Sequence, residues 1–149
     1  MKKGLFFLAF ALIGIFSFGQ TVHKGSLLSL HILNLKEGVT TEDYAKFFTS
    51  KAIPAYEKAF PGIKMYLIKS LRGQDSSSMG VIYMFNSEAD RNKYFNNDGT
   101  MTELSKAAEA KLSDIEKEFA KYETSSNTPD RYNDWLIMAW SKKHRNRKY

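Results

Sequence analysis

A single α+β domain built around one antiparallel sheet is the fold class that the sequence predicts. The chain has 149 residues, which suits one domain of ordinary size. Strand-like and helix-like segments follow one another in the order β-α-β-β-α-β, the ferredoxin-like arrangement of a four-stranded antiparallel sheet with its helices on one face. A hydrophobic fraction of 43% with 14% aromatic residues provides for a core and excludes a largely disordered chain.

The first strand and the first helical region occupy the start of this pattern. Residues 27–35 are mostly apolar and are predicted to be a strand, and the threonines at 40–41 offer an N-cap with two acids in the turn that follows. From Tyr44 to Phe60, apolar residues recur at spacings of three and four, which indicates an amphipathic helix. Because proline has no backbone donor, we expect this helix to kink or restart at Pro54.

Two strands joined by a polar hairpin, and a second helical region, complete the pattern. The strands are expected at 63–72 and 79–85, with a loop rich in Gly and Ser between them. A short helix follows, and then a long amphipathic helix that is capped by Thr100 and runs to about Tyr122. Residues 132–140 form the predicted fourth strand.

The strands carry apolar side chains on both faces of the predicted sheet. An antiparallel strand with one solvated face alternates apolar and polar residues, whereas here Val81 and Tyr83 share one face and Ile82 and Met84 the other. Helices can cover only one face, so the other would expose several hundred Å² of apolar surface, the size that marks an interface. The sequence therefore predicts a homodimer in which a second copy covers the helix-free face. The alternative is a monomer whose sheet curls over its own loops.

The two ends of the chain carry its positive charge. The net charge is +6, and it comes from Lys2, Lys3 and five basic residues within 142–149. Without them the chain is close to neutral, which argues against nucleic acid as a partner, because that needs basic residues on the folded domain. Residues 142–149 are expected to be a flexible tail, or alternatively to contact an anionic surface.

The first residues have the pattern of a secretory signal peptide. A cationic start precedes an apolar run of 14 residues from Leu5 to Phe18, and small residues stand at −3 and −1 of a cut before Gln20. The alternative is an uncleaved membrane anchor, but a spanning helix needs roughly 20 apolar residues. We therefore expect export to the periplasm or the cell exterior. The predicted organisation is a signal peptide at 1–19, an arm at 20–26, the α+β domain at 27–141 and the basic tail at 142–149.

Three segments resemble proteins of the dimeric α/β-barrel superfamily. Residues 30–40 look like the opening strand of the stress-responsive A/B-barrel proteins. Residues 53–66 are similar to the helix-to-strand passage of EthD-like and antibiotic-biosynthesis-monooxygenase domains, and 81–88 resemble their third strand running into its helix. The resemblance spans about 27–140. It implies a homodimer with a cleft between sheet and helices for small, often aromatic ligands, and any activity would be monooxygenase-like or isomerase-like without a cofactor.

Two departures from these families bear on the chemistry. EthD-like proteins usually carry a histidine just before the helix proline, whereas Lys, Ala and Ile stand at 51–53 before Pro54 here. Haem-degrading relatives pair a strand asparagine with a tryptophan and a helix histidine. Asn34 is present, but no histidine stands between His31 and His144. Haem chemistry by that route is therefore not expected, and no cofactor is predicted.

His31 is the candidate residue for chemistry. Of the three histidines, His23 falls in the arm and His144 in the tail, whereas His31 is in the middle of a strand. An imidazole there titrates near neutral pH and can act as a general acid or base. The alternative is a core or interface histidine bonded to a neighbouring strand or hydroxyl. Aromatic side chains are expected to line the cleft as ligand contacts, or else to be plain core: Tyr44, Phe48, Tyr66, Tyr83 and Trp135.

Several common kinds of site are not expected. With no cysteine and no histidine cluster at ligand spacing, the sequence predicts no metal site. The phosphate-binding and nucleophile-elbow motifs are missing too, and the acids at 114, 116 and 118 are expected on a solvated helix face. Two functions stay open. One is an exported barrel that binds or transforms a small apolar or aromatic molecule, and the other is a structural or interaction protein whose barrel serves dimerisation only.

Overall fold

The sheet has four antiparallel strands in the ferredoxin-like order. A computed structural model describes residues 22–73, 78–124 and 132–139. The strands are β1 (Leu27–Leu33), β2 (Lys64–Lys69), β3 (Met79–Phe85) and β4 (Tyr132–Leu136). Their order across the sheet is β2-β3-β1-β4, and all three pairings are antiparallel. The predicted α+β fold class, with β1 and β3 at the centre, is confirmed.

Five α-helices and one π-helical segment occur in the described ranges. They are α1 (Thr41–Phe47), the π-helical segment (Phe48–Ala52), α2 (Ile53–Ala59), α3 (Glu88–Arg91), α4 (Glu103–Glu109) and α5 (Ser113–Tyr122). Three helices have side-chain caps, in which Thr40, Ser87 and Thr102 each accept a hydrogen bond from the amide three residues on. The cap of the second helical region is thus two residues later than the predicted Thr100.

Pro54 divides the first helical region as predicted. It stands in the first turn of α2, directly after the π-helical segment. The Ile53 amide donates to the carbonyl of Phe48, five residues back. A proline in a regular helix would lack a donor and clash with a carbonyl four residues earlier. The wider π-helical turn relieves that conflict and lets the helix restart.

The predicted long helix from Thr100 to Tyr122 is in fact two helices. Two consecutive amides after α4 donate to carbonyls three residues back, at 3.1 and 2.7 Å, which closes α4 tightly before α5 begins. No glycine or proline marks this bend. It brings Ala108 and Leu112 into the core, at 3% and 2% exposure, while Leu104 on the expected apolar stripe is 54% exposed.

The hydrophobic core lies between the sheet and the helices. Along β1, the side chains of Leu27 and Leu33 face the helices, and along β3 those of Val81 and Phe85 do. The buried members of this core are Leu27, Met65, Met79, Val81 and Phe85 from the sheet, Tyr44, Phe47, Phe48, Ala52, Ala108 and Leu112 from the helical layer, and Phe60, Ile63 and Tyr94 from connecting segments. Within the described ranges, α1, α2, α4 and α5 therefore pack on one face of the sheet, as the fold class requires.

The other face of the sheet, which we call the open face, is also apolar. Because side chains alternate along a strand, the register assigns to it Leu28, Leu30, Ile32, Tyr66, Ile68, Ile82, Met84 and Trp135. Tyr66 is 45% exposed and Trp135 59%, whereas Met84 is buried. The prediction that both faces of the sheet are apolar is confirmed. Ile82 rather than Val81 is the β3 residue that faces away from the helices.

The chain just before β1 pairs with the chain just after β4. The Gly25 amide donates to the Ile137 carbonyl and the Ile137 amide donates to the Ser26 carbonyl, both at 2.8 Å. The end of the predicted arm is thus part of the sheet. The predicted signal peptide at 1–19 and the basic tail at 142–149 lie outside the described residues. Where the structure describes the chain, no helix combines the length and apolar character needed to cross a bilayer.

Candidate functional site

His31 lies on the helix-facing side of β1, opposite Val81 of β3 and Tyr132 of β4. Its ring meets the ring of Tyr83 edge-on, with centroids 4.9 Å apart, and stacks on the ring of Tyr132 at 5.2 Å. Its Nε2 lies 3.0 Å from the Ser29 hydroxyl. This cross-strand approach of His31 and Tyr83 follows from the adjacency of β1 and β3.

Burial and one nearby carboxylate shift the pKa of His31 in opposite directions. Burial lowers the pKa of His31 below its usual 6.5, and the charge of Asp134 partly raises it. Asp134 is itself paired with Arg91, whose Nε lies 3.1 Å from Oδ2. The imidazole is therefore neutral at pH 7, a state in which one ring nitrogen accepts a hydrogen bond and the other donates.

The lowered pKa of His31 predicts a pH dependence of stability. Below about pH 6.5 the unfolded chain takes up a proton at this residue before the folded chain does, so the free energy of unfolding falls with pH until the folded pKa is reached. The variant His31→Gln should lose that part of the slope while keeping a polar group near Ser29. Urea unfolding of the wild type and of the variant across this pH range measures the slope. An unchanged slope in the variant would contradict the assignment.

Tyr83 supplies a phenol beside the imidazole. Burial raises the pKa of Tyr83, and the charges of Glu123, Glu116 and Glu109 raise it further. The phenol is therefore protonated at neutral pH and is a hydrogen-bond donor. Tyr83 is half-buried, and among the described residues its hydroxyl forms no hydrogen bond with the protein; it is not one of the fully buried polar atoms that lack a partner.

Two more tyrosine hydroxyls form hydrogen bonds with glutamate carboxylates. The Tyr56 hydroxyl donates to Glu116, and the Tyr44 hydroxyl donates to Glu123. Burial first, and then these neighbours, raise the pKa of both phenols well above the usual range. Burial also raises the pKa of the Glu109 carboxyl, with a smaller effect from Glu116.

Half-buried side chains form the layer between the sheet and α5, packed against the core. Neither α2 nor α5 has a buried residue. The side chains that face each other across this layer are half-buried instead: His31, Leu33 and Tyr83 on the sheet, and Tyr56, Ile115 and Phe119 on the helices. The Tyr56 ring lies 6.5 Å from that of Tyr83 and 6.0 Å from that of Phe119. We call this aromatic layer, from His31 through Tyr83 and Tyr56 to Phe119, the cleft.

The other predicted ligand contacts do not all reach the cleft. Tyr44 and Phe48 are in the core, at 0% and 1% exposure. The expectation that Tyr66 and Trp135 share a cleft with His31 is wrong, because both lie on the open face. The alternation of side chains along each strand decides this, since Tyr66 pairs with Ile82 and not with a helix-facing residue.

Sequence reasoning missed the acids and the residues around β4. Glu116 is exposed, as expected, but it also accepts a hydrogen bond from the Tyr56 hydroxyl, and Glu118 is 2.9 Å from the amine of Lys51. Buried Arg91 also binds the carbonyl oxygens of residues 95 and 96, at 3.0 and 2.7 Å, and no spacing indicated its pairing with β4.

Two surface cavities lie away from the cleft. One, of about 760 Å³, is lined by Asn96, Gly99, Thr100, Met101, Thr102, Glu103 and Lys106. The other, of about 490 Å³, lies between α1 and α5 and includes Lys46, Lys51 and Glu118. Within 22–73, 78–124 and 132–139, no group of three or more His, Asp or Glu side chains is placed to hold a metal ion.

Comparison with solved structures finds similar folds. A NIPSNAP-like domain protein from Burkholderia xenovorans is 11% identical, with 80% of this chain and 89% of that chain covered at a TM-score of 0.50. A nipsnap family protein of unknown function from Agrobacterium tumefaciens is 16% identical, with 78% and 89% covered at 0.47. A dimeric protein of unknown function with a ferredoxin-like fold from Bacteroides fragilis is 16% identical, with 76% and 97% covered at 0.41.

These likenesses concern the fold alone, because the identities are 11–16%. No protein-family model matches the chain, and no curated protein matches it. The resemblance to stress-responsive A/B-barrel, EthD-like and antibiotic-biosynthesis-monooxygenase proteins therefore stays a prediction. The strand order itself gives this chain the ferredoxin-like fold.

Proposed function

We propose that the protein binds a small apolar or aromatic molecule in the cleft, with His31 and Tyr83 as its polar contacts. The observation that carries the proposal is the pair itself: a neutral imidazole 4.9 Å from a protonated phenol whose hydroxyl has no protein partner in the described ranges. Ligand sites are typically apolar clefts with a few convergent polar groups. The half-buried rings of Tyr56 and Phe119 supply the apolar walls.

The pair suits a ligand that carries a carbonyl or hydroxyl group on a planar frame. The Tyr83 phenol can donate a hydrogen bond to either oxygen, and the His31 imidazole can accept a proton from a ligand hydroxyl. The Ser29 hydroxyl, 3.0 Å from the imidazole, orients the ring. If the protein is an enzyme, this arrangement favours proton-transfer chemistry of the isomerase-like or cofactor-independent monooxygenase-like kind.

Removing the phenol tests the proposal with a neutral probe, 2-naphthol. We expect Tyr83→Phe to weaken binding of 2-naphthol at least about fivefold, the loss of one hydrogen bond of ordinary strength. Tyr66→Phe is the matched control, because it removes a phenol from the open face of the same sheet. Titration calorimetry measures the affinity of both variants for 2-naphthol. Equal affinities for the two variants and the wild type would place the ligand elsewhere.

A second function, dimerisation, is favoured by the open face. Six or more large apolar side chains cover that face of the sheet, and Tyr66 and Trp135 are about half exposed. Patches of several hundred Å² on this scale mark interaction sites. We infer a homodimer in which a second copy packs on this face, and a barrel that serves dimerisation only is the alternative if the cleft proves empty.

Export is proposed from the first residues of the sequence. A cationic start, an apolar run and small residues before Gln20 together form a signal peptide pattern. Intact mass spectrometry of the protein from its native host should show a chain that begins at Gln20 or its pyroglutamate form. A chain that begins at Met1 would contradict export with cleavage.

A further inference from the structure

We propose that Tyr132, the first residue of β4, is a positioning residue for His31, and that Gly99 keeps Tyr132 in place because it has no side chain. The rings of Tyr132 and His31 lie nearly parallel, with centroids 5.2 Å apart and an interplanar angle of 12°. Tyr132 thereby acts on a ligand through His31, so this role rests on the proposed function.

The imidazole of His31 is held by one hydrogen bond and two rings. Its Nε2 lies 3.0 Å from the Ser29 hydroxyl, and the Tyr83 ring meets it edge-on. A hydrogen bond fixes the position of one nitrogen, whereas a stacked ring fixes the plane of the imidazole. Tyr132 therefore sets the direction of Nδ1, the nitrogen that Ser29 does not engage.

The hydroxyl end of Tyr132 lies against Gly99. A Cβ atom at Gly99 would lie 2.5 Å from the Tyr132 hydroxyl oxygen, well inside the distance at which non-bonded atoms attract. Gly99 also has a φ of +82°, a left-handed conformation that glycine adopts without strain. Both properties of glycine, its backbone freedom and its missing side chain, are therefore used at this residue.

The loop that carries Gly99 is closed by its own hydrogen bonds. The Gly99 amide donates to the Asn96 carbonyl at 3.0 Å, and the Asn96 amide donates to the Thr100 carbonyl at 2.8 Å. The Asp98 carboxylate accepts hydrogen bonds from the amide and the hydroxyl of Thr100, at 2.9 and 2.6 Å. A side chain added at Gly99 should therefore displace the Tyr132 ring, which turns about its own bonds, rather than the loop.

Arg91 ties this loop to β4. Its Nη1 donates to the carbonyls of residues 95 and 96, at 3.0 and 2.7 Å, and its Nε lies 3.1 Å from a carboxylate oxygen of Asp134. Asp134 follows Tyr132 by two residues on β4, so the two side chains share a face of the sheet. The loop is thus anchored on the same strand as the ring that it touches, which keeps Gly99 against Tyr132.

Gly99→Ala tests this contact, with Gly38→Ala as its matched control. Gly38 has a φ of +81°, but within the described ranges no atom beyond its chain neighbours lies within 4 Å of the added methyl group. The two variants therefore share the backbone strain and differ in the clash. We expect Gly99→Ala alone to move the imidazole proton resonances of His31 downfield, because the stacked ring shields them. It should also weaken binding of 2-naphthol at least about fivefold, the loss of one ordinary hydrogen bond. Proton NMR and titration calorimetry measure the two effects.

Removing the Tyr132 hydroxyl should reverse the effect of the added methyl group. In the double variant Gly99→Ala, Tyr132→Phe, the nearest ring atom is Cζ, 3.7 Å from the methyl carbon, which is an ordinary contact. We expect this variant to recover the His31 resonances and the 2-naphthol affinity of Tyr132→Phe alone. Tyr132→Leu removes the stacked ring and leaves Gly99 unchanged, so it should weaken binding as Gly99→Ala does.

The outcomes separate the positioning role from the proposed function. If Gly38→Ala has the same effect as Gly99→Ala, or if Tyr132→Phe does not restore the double variant, the clash is not the cause and the inference is overturned. Unchanged His31 resonances in Tyr132→Leu overturn it as well, even where Gly99→Ala does not fold. If the resonances respond as expected and the wild type does not bind 2-naphthol, the positioning role holds and the proposed function is overturned.

Discussion

Replacing Ile82 by aspartate should convert a dimer into folded monomers. Ile82 lies at the centre of the open face, opposite Leu30 of β1 and Tyr66 of β2. In a dimer that covers this face, each copy would bury an unpaired carboxylate, at a cost of several kcal/mol. In a monomer the same side chain can reach water, so the fold is expected to survive.

Sedimentation equilibrium with circular dichroism measures both parts of this prediction. Ala107→Asp is the matched control, because it adds the same charge at an exposed residue of α4, far from the open face. We expect a loss of dimer affinity of more than about a hundredfold for Ile82→Asp alone. A wild-type protein that is monomeric at micromolar concentration would contradict the proposed covering of the open face.

Among these variants, Phe48→Ala should cause the largest decrease in the free energy of unfolding. Phe48 opens the π-helical segment, is 1% exposed, and has its ring 5.7 Å from that of Tyr44. Removing a fully buried phenylalanine side chain costs about 3–5 kcal/mol through lost transfer energy and the cavity left behind. Urea unfolding of Phe48→Ala, with Phe48→Leu as the milder control, measures this free energy.

The two Phe48 variants also decide between two roles for this residue. The sequence made it a candidate ligand contact, whereas its burial makes it a core residue. We expect Phe48→Leu to bind 2-naphthol as the wild type does. If Phe48→Ala lowers the free energy of unfolding by less than about 1 kcal/mol and abolishes binding of 2-naphthol, Phe48 is part of the wall of the ligand site instead.

The fold was predictable because local and global signals agree along most of the chain. The strand at Met79–Phe85 has the predicted bounds, since a polar loop precedes it and the Ser87 cap follows it. Pro54 marks the restart of the helix by its missing donor. The division between α4 and α5 was not predictable, because no breaker residue marks it and packing of Ala108 and Leu112 against the sheet decides it.

The site was predictable only in part. His31 and Tyr83 meet because the ferredoxin-like order makes β1 and β3 neighbours. Tyr66 and Trp135 were misplaced because a tyrosine or tryptophan is compatible with either face of a strand, and only the register fixes which face it takes. The role of Glu116 depends on a phenol 60 residues away in the chain, a tertiary contact that spacing alone does not show.

Intermolecular nuclear Overhauser effects from 2-naphthol to the protein's aromatic protons test the central claim most directly. The cleft and the open face carry different sets of rings, so the contacted protons identify the face that binds. A ligand held by His31 and Tyr83 should show contacts to those two rings and to Tyr56 and Phe119. Contacts to Tyr66 and Trp135 alone would contradict the account.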